Sequence, residues 1–138
     1  MVVATGPGEL TDSLRGQLIQ PGDADYDSAR RVFNGMIDRR PAAIARCADV
    51  ADVITCVNHA RQEGLLLSVR GGGHNVAGFA TNDGGLVIDL SPMKGIRVDP
   101  ERRTVRAEGG CTWGDLDHAT HPFGLAVAAS SRRPGSPA

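Results

Sequence analysis

With 138 residues and a formal net charge of −1, the chain has the length of one domain or of part of a larger one, without the positive excess that steers a protein to nucleic acid or an anionic membrane surface. Its 41% apolar and 22% charged residues fit a soluble globular protein, while 18 glycines and only 4% aromatics imply many turns around a core of small aliphatic side chains. Met1 to Gly8 has neither a basic start nor a long apolar run, so the pattern predicts no signal peptide and no transmembrane helix, and a cytoplasmic location is the default expectation.

In chain order, Glu9 to Gly16 is expected to form a short helix with Leu10 and Leu14 on one side, followed by a brief strand, Gln17 to Gln20, closed by Pro21-Gly22. From Asp23 to Met36 the apolar positions Tyr26, Ala29, Val32, Phe33 and Met36 keep helical spacing, which predicts a helix with Asp23 near its cap. Arg39-Arg40-Pro41 breaks the pattern, and Ala42 to Arg46 reads as a short buried strand. The next helix has Asp49 as cap, Asp52 in its electropositive first turn, a stripe of Val50, Val53, Ile54, Val57 and Ala60, and a stop at Gly64; His59 sits near its negative end.

Leu65 to Val69 is almost continuously apolar, as in a strand covered on both faces. Strand, helix and strand then make a β-α-β unit with a right-handed crossover. Leu86 to Leu90 is a further strand, and Gly95 to Asp99 with Thr104 to Glu108 alternates around a polar turn as an antiparallel hairpin does. Thr112 caps a helix to Thr120, with Asp115 three residues on and Trp113 and Leu116 expected toward the core; Leu125-Ala126-Val127 looks like the start of another strand.

The most informative stretch is Ser68-Val69-Arg70-Gly71-Gly72-Gly73-His74-Asn75, at the carboxyl end of a strand where ligands of open α/β sheets bind. Three successive glycines remove every Cβ, permit left-handed conformations and let backbone N–H groups converge on an anion. Arg70 adds a planar fork of donors suited to phosphate. The spacing fails both the G-x-G-x-x-G and the Walker patterns, and the glycines and turn formers after His74 leave no room for a helix there, so the loop must hold its ligand by itself.

Three ordered motifs carry a family resemblance: Arg70-Gly71-Gly72-Gly73-His74-Asn75-Val76-Ala77-Gly78, then Leu86-Val87-Ile88-Asp89-Leu90-Ser91-Pro92-Met93, then Gly109-Gly110-Cys111-Thr112-Trp113-Gly114-Asp115-Leu116. Over roughly Ala24 to Val127 the chain resembles the FAD-binding domain of the p-cresol methylhydroxylase and vanillyl-alcohol oxidase type (PCMH-type), and within it the berberine-bridge-enzyme-like oxidoreductases. The resemblance implies an α/β (α+β) fold, the amino-terminal subdomain of a PCMH-type domain, with a small mixed sheet, a β-α-β unit and flanking helices. It also implies FAD as cofactor, with Arg70, Gly71, Gly72, Gly73, His74, Asn75 and Gly78 as cofactor-binding residues and His74 bonded covalently to the 8α carbon of the isoalloxazine. A neutral imidazole nitrogen is nucleophilic enough near pH 7 for that bond.

Other candidates read as structural. Cys47, Cys56 and Cys111 are odd in number without metal-type spacing, so they read as reduced thiols, with Cys111 a buried small hydrophobe rather than a second flavin link. His118 and His121 are poorly spaced for a metal, and no carboxylate pair suggests acid/base chemistry. Residues 1–23 form an amino-terminal extension, 24–127 the partial FAD-binding domain, and 128–138 an aberrant or disordered tail. Where the family runs on as Gly-Gly-Val-Val-Ser-Thr-Thr-Gly-Ile-Ala, this chain gives Ala128-Ala129-Ser130-Ser131-Arg132-Arg133-Pro134-Gly135-Ser136, which a one-base shift of reading frame can produce.

The expected function is the FAD-binding portion of an FAD-dependent oxidoreductase, truncated before its substrate domain, with a small-molecule substrate only if completed by missing domains. The alternative is a non-catalytic remnant or a nucleotide-diphosphate-binding module needing a second chain. In either case an exposed apolar face is expected to favour self-association.

Overall fold

The computed structural model describes residues 7–74 and 77–128. Helix α1 (Pro7–Ser13) leads into strand β1 (Gln17–Ile19), the short helix α2 (Tyr26–Ala29), β2 (Ala43–Arg46), α3 (Val50–Glu63), β3 (Leu67–Arg70), β4 (Leu86–Asp89), the hairpin β5 (Ile96–Asp99) and β6 (Thr104–Ala107), and α4 (Trp113–Thr120), closed by a 3-10 turn at His121–Phe123. Four strands form one sheet in the order β1-β2-β4-β3, with β2, β4 and β3 parallel and β1 antiparallel at one edge; β5 and β6 pair separately. The α/β reading with a small mixed sheet therefore holds. β2 and β3, joined by α3, are not neighbours, because β4 lies between them.

Period-2 alternation of small aliphatics fills both faces of the sheet. On one side Ala45, Cys47, Leu86 and Ile88 meet Cys56 and Ala60 of α3 and Leu10 of α1; on the other Ile19, Ile44 and Val87 meet Tyr26 and Ala29. Full burial of such an aliphatic side chain stabilises a fold by about 1.5–3 kcal/mol, and Ile19, Ile44 and Ile88 are completely buried.

Polar anchors fix the angles between elements. Asp49 caps α3 by accepting the Asp52 N–H at 3.0 Å, and Gly64 ends it in a left-handed conformation at φ 64°. Asp52 is buried, and its carboxylate accepts the backbone N–H groups of Arg15 at 2.8 Å, Gly16 at 2.9 Å and Ala48 at 2.8 Å, tying the helix start to the entries of β1 and α3. Thr112 and Asp115 exchange side-chain and backbone bonds in a capping box on α4; the Thr112 N–H, with the Lys94 ammonium, holds the Asp115 carboxyl down at about 2.

Several expectations change. The helix foreseen for Asp23–Met36 survives only over Tyr26–Ala29: Asp23 accepts the Gln20 N–H at 2.8 Å in a turn, and beyond Arg31 the chain peels away to meet the glycine turn, leaving Phe33 and Met36 exposed. β3 is an edge strand, so Val69 is 52% exposed rather than covered. α3 buries Asp52, Cys56, His59 and Ala60, a face rotated from the aliphatic stripe, and leaves Val50 and Ile54 in solvent. Trp113 is exposed, Cys111 is half-buried, and residues 125–127 form no strand. The expected tail lies mostly outside the described residues.

Candidate functional site

Three segments distant in sequence converge at the carboxyl ends of the parallel strands. The first is the turn that follows β3. Gly73 takes φ 72°, a conformation that costs an L side chain about 1–2 kcal/mol. Among the described residues, no acceptor takes the N–H groups of Gly71, Gly72, Gly73 or His74. The second segment is Gly109-Gly110, after β6: a Cβ on Gly71 would lie 2.6 Å from the Gly109 carbonyl oxygen, and one on Gly110 2.0 Å from the Leu90 carbonyl oxygen. Glycine at both places is a condition of this close approach. The third is the lip formed by residues 31–37. Its Phe33 N–H donates to the Gly73 carbonyl at 3.1 Å, and its Ile37 packs so closely on Gly78 that a Cβ there would lie 2.7 Å from Cδ1.

Beneath the turn lies a buried ion pair. Arg70 Nη2 donates to Asp89 Oδ2 at 2.7 Å, Arg70 Nη1 donates to the Arg31 carbonyl at 3.2 Å, and Arg46 Nε stands 3.7 Å from the same carboxylate oxygen. Burial by itself raises the Asp89 carboxyl, but the Ser91 N–H and the Arg70 guanidinium outweigh it and hold the acid below its ordinary value. The guanidinium read from sequence as a phosphate fork is thus engaged with Asp89 and with the lip, and what Arg70 gives the turn is a fixed starting point.

His74 is exposed, with its ring centroid 4.5 Å from that of Phe33 at an interplanar angle of 36°. Gly72 makes room for it, since a Cβ there would lie 2.8 Å from the imidazole Cδ2. Of the residues foreseen for the site, Arg70, Gly71, Gly72, Gly73 and His74 come together, Gly78 packs against the lip, and Asn75 lies outside the described residues. Phe33 and Asp89 were not foreseen. The spacing of Phe33 fits a helix, which hides its role, whereas Asp89, an acid closing the apolar run Leu86-Val87-Ile88, carries a legible signal of an interior partner.

The largely apolar hollow of about 260 Å³ lined by Leu10, Leu18, Ala43, His59, Leu65 and Leu86 lies at the amino ends of β2 and β4, away from this chemistry. Among the described residues no three His, Cys, Asp or Glu side chains gather as a metal would require, and no helix is long and apolar enough to cross a membrane.

The family described as "FAD binding domain" matches residues 41–136, which include the glycine turn, Asp89 and Gly109-Gly110. The chain belongs to the FAD-binding domain family. It is 43% identical over 115 residues to (R)-6-hydroxynicotine oxidase of Paenarthrobacter nicotinovorans, covering 83% of this chain and 25% of that one. Among solved structures, 6-hydroxy-D-nicotine oxidase from Arthrobacter nicotinovorans superposes with a TM-score of 0.79 at 43% identity, over 83% of this chain and 25% of that one. The berberine-bridge-enzyme-like protein 1 of Physcomitrella patens gives 0.79 at 27% identity, over 86% and 26%. The chain therefore spans about a quarter of the length of the relatives it matches, and its motifs are those of a PCMH-type FAD-binding domain.

The residues present fit FAD. A Cβ-free turn at the carboxyl end of parallel strands, with N–H groups unengaged among the described residues, suits a diphosphate, and an exposed imidazole stands at its end.

Proposed function

We propose that this FAD-binding domain holds the FAD pyrophosphate on the backbone N–H groups of Gly71, Gly72, Gly73 and His74, with Asn75 beside them, and that His74 is the covalent attachment residue, bonded to the flavin 8α carbon. The observation that carries this reading is the position of the imidazole: exposed, at the end of a turn whose third glycine is left-handed, where the parallel strands end. Attachment forms one N–C bond and removes one proton from the 8-methyl group and one from the imidazole. With FAD bound, the electron pair of that bond formation would pass through the flavin to dioxygen, giving hydrogen peroxide with the two protons. Bound FAD supplies the parent reaction with a two-electron acceptor for a substrate hydride.

This chain's residues contribute binding and orientation. The Gly71–Gly109 approach shapes the cradle, and Asp89 with Arg70 fixes its foot. We further propose that the substrate-facing groups of the oxidoreductase come from protein outside these 138 residues, given the quarter-length match to relatives. The exposed Leu66 and Val69 at the β3 edge support self-association of the chain on its own.

The test is to incubate the purified chain with FAD, denature it, and look for flavin fluorescence on the polypeptide. Retention in the wild type and loss in His74→Ala are expected. A wild-type chain that stays colourless and binds no FAD would overturn the reading in favour of a non-catalytic remnant.

A further inference from the structure

The lip that reaches the glycine turn brings an aromatic ring to the imidazole at its end. Phe33 is 76% exposed, so it does not serve the core, and its ring meets the imidazole of His74, centroid to centroid at 4.5 Å with a 36° tilt. Its backbone N–H is bonded to the Gly73 carbonyl at 3.1 Å, so the backbone bond and the ring contact act on adjacent residues of the turn. The lip is anchored in turn by the Arg70 guanidinium, which holds the Arg31 carbonyl at 3.2 Å.

The geometry of the contact matters chemically. At this separation and tilt the neighbour lies against the face of the imidazole, whereas both ring nitrogens carry their lone pair or proton in the ring plane. An aromatic face restricts the rotation of His74 while engaging neither nitrogen. A carboxylate or carbonyl in the same place would take the N–H and fix one nitrogen as a donor. An aliphatic side chain would lack the flat surface that selects a ring orientation. Gly72 completes the slot, because the imidazole occupies the space a Cβ there would need.

We propose that Phe33 is the positioning residue of His74: it holds the imidazole by face contact so that a ring nitrogen remains free and aimed for bonding to FAD. The inference rests on the reading of His74 as the attachment residue. Because the Phe33 side chain is mostly in solvent, replacing it leaves the fold standing, and the conservative variant Phe33→Tyr preserves the face.

The experiment compares wild type, Phe33→Leu, Phe33→Tyr and His74→Ala in the full chain with two readouts. In the FAD-free chain, the His74 ring protons are observed by NMR. They carry an aromatic ring-current shift in the wild type, keep it in Phe33→Tyr and lose it in Phe33→Leu. The chains are then mixed with FAD, and the rate at which flavin becomes resistant to denaturation is followed. Misplacing a reacting group by about 1 Å costs on the order of a hundredfold in rate, so Phe33→Leu is expected to attach flavin roughly ten- to a hundredfold more slowly, with Phe33→Tyr close to wild type. Attachment abolished in His74→Ala but unchanged in Phe33→Leu overturns the role of Phe33 alone, as does the absence of a ring-current shift in the wild type. A wild-type chain that attaches no flavin overturns the reading of His74 and the role of Phe33 with it.

Discussion

Asp89 and Arg70 face each other across neighbouring parallel strands at matched register, 2.7 Å apart and both buried, and this pair sets the point at which the chain turns into the glycine cradle. Removing one member leaves the other charged and buried, which costs about 3–5 kcal/mol in comparable interiors. Asp89→Asn is therefore expected to lower the free energy of unfolding by about 3 kcal/mol in a urea titration.

The same pair gives a pH dependence. The folded Asp89 carboxyl titrates below the ordinary value of 3.8, so the folded state binds fewer protons there than the unfolded chain. Its stabilising contribution is fully present above that ordinary value and is lost as pH falls through the lower folded value. Thermal unfolding from pH 6 downward should show the wild type losing stability in this acid range and Asp89→Asn losing less. Parallel profiles would exclude Asp89 as a source of the acid sensitivity.

Asp52 is a second buried carboxylate, held by three backbone N–H groups within 2.9 Å. Hydrogen bonds to charged groups contribute about 1.5–3 kcal/mol each, and orphaned donors add a desolvation cost. Asp52→Ala should destabilise the chain by at least about 3 kcal/mol, with Asp52→Asn, which keeps one acceptor oxygen, in between. Chemical denaturation of the two variants checks the order.

Gly71→Ala and Gly84→Ala separate space from conformation. A Cβ at Gly71 would lie 2.6 Å from the Gly109 carbonyl oxygen, so the cradle itself must shift; Gly84 has φ 72° but nothing within 4 Å of its added Cβ. Gly71→Ala is expected to weaken FAD binding at least tenfold, about 1.4 kcal/mol. Gly84→Ala should cost about 1–2 kcal/mol of stability from backbone strain and leave FAD affinity unchanged. Fluorescence titration with FAD, alongside unfolding curves, distinguishes the two effects.

Thiol labelling tests the packing of α3 on the sheet. Cys47 and Cys56 are fully buried, and the neighbouring Cys56 thiol together with burial pushes the Cys47 thiol up, whereas Cys111 is half-buried with its Sγ 3.7 Å from the Gly95 carbonyl. A disulfide reagent should therefore modify Cys111 rapidly in the native chain, and Cys47 and Cys56 only in denaturant. Rapid native modification of all three would contradict the packing.

What the sequence made legible followed local rules. The cap at Asp49, the stop at Gly64, the capping box at Thr112 and the β5–β6 hairpin each depend on residues a few positions apart, and each is present. The failures share a different origin. Phe33 obeyed helical spacing, but the lip is shaped by a bond to Gly73 that no local pattern encodes. Val50 and Ile54 made a good apolar stripe, yet α3 turns by the demand of Asp52 for three N–H groups. Val69 read as interior because apolar runs do not reveal whether a parallel strand is central or outermost. The glycine turn and His74 were legible because missing side chains leave a signature in the sequence itself, whereas the partner of the imidazole and the destination of the Arg70 guanidinium exist only in three dimensions.

The register of the parallel strands also has an electrical outcome. Arg46, Asp89 and Arg70 occupy one row across β2, β4 and β3, where two guanidinium groups flank a single carboxylate and leave one elementary positive charge in surplus at the foot of the turn. On the seating of FAD proposed above, the two phosphate charges would lie near that row. Because mobile ions shorten the reach of such a field from about 10 Å at 0.1 M to about 3 Å at 1 M, the seating of FAD proposed above carries the expectation that its capture slows as ionic strength rises.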